Sequence, residues 1–161
     1  MPMRPVRRAA RAMLGAIFIA SGMRGLANSE KLVPGAKRVT DRITPLLEKV
    51  DPRLPTDPRT LVRINAAAQL AGGLLLATGR MPRPAAALLA GTMIPTTLAG
   101  HPFWTEQDPV ARRNQQIHFL KNVGLIGGLL LAAADTEGRP SVGWRVRHAV
   151  RTRTGRATLT R

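Results

Sequence analysis

Two stretches limit what this chain can fold into more than any other feature. They are LAGGLLLATG at residues 70–79 and VGLIGGLLLAAA at residues 123–134. Each runs for about three helical turns without a polar stripe. A surface helix of a soluble protein keeps such a stripe along its length. A helix that is apolar all round lies deep in a core or in lipid. Two further apolar stretches accompany them, ARAMLGAIFIASGMRGLA at 10–27 and PAAALLAGTMIPTTLAG at 84–100. A chain of 161 residues is too short to bury four such helices in water.

The predicted fold is therefore all-α: a four-transmembrane-helix bundle with spans at about 10–27, 61–79, 84–100 and 116–134. The uncharged cores are shorter than a full span. Arg11, Arg24, Arg63 and Lys121 stand near segment ends, where a long basic side chain lays its stem along hydrocarbon and keeps its charge at the interface. Residues 1–135 read as one membrane domain and 136–161 as a basic, disordered cytoplasmic tail. Arg4, Arg7, Arg8 and Arg11 ahead of an apolar run resemble a secretory signal, but Arg24 beside the would-be cleavage point favours a retained first helix.

Charge supplies orientation. The net charge is +16, and there is no cysteine. The N-terminal arginines, Arg80 with Arg83, and the seven arginines of the tail fall on one side of four spans. Both termini are thus expected in the cytoplasm. A basic chain can also mean nucleic acid. Few aromatics and no reading motif argue against that. Without cysteine there is no thiol nucleophile, thiolate zinc site or cysteine-held cluster. In the first connection, Val39, Ile43, Leu46, Leu47 and Val50 have helical spacing. They predict a short amphipathic helix interrupted near Pro45.

The hexapeptide GGLLLA occurs twice, at 72–77 and 127–132, each time after an asparagine, Asn65 or Asn122. A duplicated hairpin would put spans two and four in one direction. The Gly-Gly pairs suit close helix packing, as does the first-helix series Ala12, Ala16, Ala20.

Polar residues inside spans are expensive and usually face the interior or a cavity. Helical projection converges Arg24, Asn65, Gln69, Thr96, Thr97, His101, Gln115, His118, Lys121 and Asn122 on the outer half. They are either interhelical hydrogen bonds and interface anchors, or a polar pocket. A pocket with Arg24 and Lys121 would suit an anionic group or a quinone carbonyl, and His118 could move a proton there. No catalytic acid–base pair or nucleophile triad is present.

The segments PTTLAGHPFW at 95–104 and QIHFLKNVGLIGGLLL at 116–131, with GLANSEKL at 25–32, resemble the DoxX family of small bacterial membrane proteins. The resemblance runs from about residue 12 to 134. The matching positions are Gly100, His101, Phe103, Trp104, Phe119, Lys121 and Asn122. The resemblance implies a four-helix membrane bundle. Its members include a subunit of a thiosulfate:quinone oxidoreductase and a membrane partner of oxidative-stress enzymes. It implies an accessory, non-catalytic subunit of a membrane redox complex, with no cofactor held by the chain itself beyond a quinone. The expected partners are membrane lipids and other subunits or further copies of the chain. The alternative is a membrane scaffold, or a small-solute or lipid-handling protein, with no redox role.

Overall fold

The structure, a computed structural model, describes residues 3–136. The expected tail lies, from residue 137 on, outside the described residues. Five α-helices and one 3-10 turn make up the described chain: α1 (Met3–Ala27), α2 (Ser29–Val50), α3 (Pro58–Ala77), α4 (Pro82–Gly100), the turn Phe103–Thr105, and α5 (Pro109–Ala134). No strand occurs among the described residues. The all-α expectation is met.

Helix boundaries follow local chemistry. α1 starts well before residue 10, because arginine and alanine propagate a helix well. α3 and α5 both open on Asp-Pro. Asp57 Oδ2 accepts the Thr60 N–H at 2.8 Å and the Thr60 hydroxyl at 2.9 Å. Asp108 Oδ2 accepts the Ala111 N–H at 2.9 Å. In each case the following proline takes a first-turn position that needs no donor. The Thr60 N–H, with its hydroxyl, holds the Asp57 carboxyl below the usual 3.8.

The helix in the first connection departs from expectation. It is 22 residues long and runs unbroken through Pro34 and Pro45. Both prolines are exposed, so water can solvate the carbonyls they leave unbonded. Val33, Ala36, Thr40, Ile43 and Leu47, three or four apart, turn inward toward α3 and α4. Leu46 and Val50, expected on that face, point outward.

α1 and α3 form the tightest seam. A Cβ on Gly22 would stand 2.6 Å from the Leu70 nitrogen and 2.7 Å from the Ala66 carbonyl oxygen. One on Gly15 would stand 2.6 Å from the Gly73 carbonyl oxygen. Only hydrogen fits at these points, so the two backbones touch. The stripe expected at Ala12, Ala16 and Ala20 is not this contact: Ala12 and Ala16 are exposed. The two Gly-Gly pairs also differ. Gly73 meets Gly15 and Ile19, and Gly72 meets Leu89, whereas a Cβ on Gly124, Gly127 or Gly128 would have nothing within 4 Å.

Phe18, Leu76, Leu89 and Leu129, one from each of α1, α3, α4 and α5, are fully buried in a shared core with Ala85, Ala86, Ala90 and Met93. At one end Asp135 meets Arg11 at 3.4 Å and Arg7 at 3.6 Å. There the Arg83 Nε also donates to the Ala133 carbonyl at 2.8 Å. The starts of α1 and α4 therefore lie beside the close of α5. α3 and α5 run one way, and α1 and α4 the other. α2 packs on α3 and α4.

Two helices, α3 and α5, are long and apolar enough to cross a membrane. The sequence alone predicts four. α1 is diluted by Arg7, Arg8, Arg11 and Arg24, and α4 by three prolines and three threonines.

Candidate functional site

The ten polar residues predicted to converge separate into groups. Asn65 and Gln69, one turn apart on α3, each donate a side-chain N–H to Thr96 Oγ1 of α4 at 3.0 Å. The Thr96 hydroxyl in turn donates to the Thr92 carbonyl at 2.8 Å. A hydroxyl that accepts twice and donates once has no capacity left. Gln69 is 3% exposed, so this knot lies inside the packing, where an unmade bond would be costly. Thr97, beside it, is also buried, and its hydroxyl has no hydrogen-bond partner among the described residues.

The second group joins the end of α4 to the start of α5. The Gln115 Oε1 lies 2.8 Å from the His101 Nδ1. An amide oxygen only accepts, so the neutral ring carries its proton on Nδ1 and leaves Nε2 as an acceptor. The His118 ring stacks on His101 at a centroid distance of 5.2 Å and 22° between planes. His118 itself is exposed.

Asn122 is buried on α5. The two cationic members are set apart. Arg24 bonds the Ala20 carbonyl of its own helix at 3.3 Å, and both Arg24 and Lys121 are exposed. The charge that would have attracted an anion or quinone therefore points outward rather than onto the knot.

An aromatic group is not evident from sequence spacing alone. Phe103, Trp104 and Phe119 meet edge to face, with centroids 5.2 to 6.0 Å apart. They hold three of the chain's five aromatic residues at one level. Arg38 of α2 donates to the Thr105 hydroxyl at 3.3 Å and ties α2 to the same turn. The signal for it is the HPFW run, which concentrates rings in a chain otherwise poor in them.

The shape of the surface does not follow the predicted pocket. One cleft, of about 320 Å³, lies among Leu26, Asn28, Lys31, Arg59 and Arg63, where α1, α2 and α3 meet. Another, of about 710 Å³, lies at the opposite end between α1 and α3. None of the ten residues lines either cleft. Among the described residues no group of three or more His, Asp or Glu side chains is placed to hold a metal.

Comparison with known proteins adds one match. A model of the DoxX family matches residues 7–102, which takes in α1 to α4 and stops before α5. No curated protein and no solved structure matches the chain. The matched segment holds the α1–α3 seam, the Asn65–Gln69–Thr96 knot and His101. It leaves the FLKN segment outside, and it exceeds half of the chain. This is a helical membrane protein, and it belongs to the DoxX family.

Proposed function

We propose that the protein is a four-span bundle of the bacterial cytoplasmic membrane, with both termini in the cytoplasm. In this reading α1, α3, α4 and α5 all cross. The support is mechanical. α1 is fixed to α3 by backbone contact from Gly15 to Gly25, and α4 is fixed to α3 and α5 through the shared core. If α3 and α5 span, their packed antiparallel neighbours cross the same slab. Large apolar side chains also face outward on all four: Met13 and Ile17, Ile64 and Leu74, Leu88 and Ile94, Ile117, Leu120 and Leu131. Water penalises such a belt and lipid accepts it.

Within that bundle the protein acts as a non-catalytic accessory subunit of a membrane redox complex. One observation carries the accessory role: Thr96 is saturated by Asn65, Gln69 and the Thr92 carbonyl, so these polar groups lock helices together rather than await a substrate. The redox association rests on the family resemblance. The second reading, a quinone at the membrane surface beside His101 and His118, is favoured by the exposed His118 ring stacked on His101, whose N–H a quinone carbonyl can accept. The H118L/K121L double variant separates the two when quinone-dependent activity is measured in membranes. Unchanged activity with normal insertion supports the accessory role; loss of activity with normal insertion overturns it in favour of the quinone site. Alkaline carbonate extraction tests the membrane assignment, which release into the soluble fraction would end.

A further inference from the structure

The cleft of about 710 Å³ at the Asp135 end is lined by Arg8, Ala9, Arg11 and Ala12 of α1 and by Ala77, Thr78 and Gly79 at the close of α3. Its volume is within the range of small-molecule sites. Its lining combines two guanidinium groups with three alanine methyls. Small side chains at Ala12 and Ala77 leave it open, and a longer residue there would intrude on it.

The charge around it is one-sided. Arg7, Arg8, Arg11, Arg80 and Arg83 gather at this end, and Asp135 is the sole carboxylate there among the described residues. Asp135 takes Arg7 and Arg11. Arg8, exposed and within the cleft, has no carboxylate in ion-pair reach among the described residues. The Thr78 hydroxyl donates to the Leu74 carbonyl at 2.7 Å, so the cleft offers guanidinium donors and little else. Guanidinium with apolar surroundings suits a phosphate oxygen attached to an apolar body.

We infer that this cleft holds the phosphodiester headgroup of an anionic phospholipid, with Arg8 on the phosphate and the acyl chains entering the lipid around the bundle. This rests on the four-span reading, which sets the Asp135 end at the cytoplasmic interface. There the anionic leaflet attracts basic side chains by about 1 kcal/mol each, roughly a fivefold change in affinity.

The full chain, purified in mild detergent, is exposed to equal phosphatidylglycerol and phosphatidylcholine, and retained lipid is counted by native mass spectrometry. Wild type should keep phosphatidylglycerol in preference by about tenfold or more. R8Q should lower that preference about fivefold, and A12L should lower it as well, by intruding on the cleft without altering charge. Helicity by circular dichroism confirms that each variant is folded. Wild-type selectivity in both folded variants overturns the proposal. So does displacement of phosphatidylglycerol by millimolar inorganic phosphate, which would make the site one for the free anion. Failure of the membrane reading is recognised separately: carbonate would then release the wild-type chain, whereas a firmly embedded chain without lipid preference refutes the lipid site alone.

Discussion

The same six residues, GGLLLA, are used in two different ways. In α3, Gly72 and Gly73 are pressed between Leu89 on one side and Gly15 with Ile19 on the other. In α5, Gly127 and Gly128 meet nothing, and Leu130 and Leu131 are 56% and 76% exposed. The flanking sequence explains part of the contrast. Asn65 precedes its Gly-Gly pair by seven residues and Asn122 by five, so the two copies are about 200° out of register against their polar faces. The lesson is that a glycine pair becomes a packing notch only where a second backbone arrives. α3 is enclosed by α1, α2 and α4, whereas α5 leans on α4 and the 3-10 turn.

Substitutions at matched positions test this contrast. The largest effect belongs to G22L at the enclosed seam. Backbone cannot move aside there, and overpacking should cost about 3 kcal/mol or more, against less than about 0.5 kcal/mol for G127L. Thermal midpoints in mild detergent measure both, and equal losses would erase the distinction. Next is L129A, which empties a fully buried site in α5 and should cost about 2–4 kcal/mol, while L130A next to it should be near neutral. T96V strands the donors of Asn65 and Gln69 and should cost about 1–2 kcal/mol by the same assay. D135N removes a partly exposed pair with Arg7 and Arg11 and should cost less than about 1 kcal/mol, fading as salt is raised. The smallest effect is one of pH. Asp57 has a depressed folded value, so its contribution is complete above 3.8 and is lost as pH falls through the lowered value. D57N should remove that acid dependence while keeping a cap on α3.

The helices are legible in the sequence because apolar runs and charged flanks mark them directly. Residues 70–79 and 123–134 both fall largely within long α-helices. The seam is not legible. Gly15–Gly22–Gly25 and Ala12–Ala16–Ala20 are both small-residue series on one helix, and only the position of α3 selects the first. Pro45 does not break its helix, because the cost of a missing N–H depends on whether water reaches the freed carbonyl. The Asp-Pro pairs at 57–58 and 108–109 carry capping signals that mark the starts of α3 and α5. For the site, helical projection puts Asn65, Gln69 and Thr96 on facing surfaces, and they do meet. It cannot tell that Arg24 and Lys121 turn outward, since a long side chain at a helix end has several directions open to it.

The central claim is that four helices cross one membrane, and the absence of native cysteine makes it directly measurable. Single cysteines at Asp51, Arg80 and Gln107 place one thiol in each connection between the proposed spans. Intact cells are treated with a membrane-impermeant maleimide before and after permeabilisation. The account predicts that positions 51 and 107 react in intact cells and position 80 only after permeabilisation. Labelling of 80 and 107 from the same side would mean that α4 does not cross, and would contradict it.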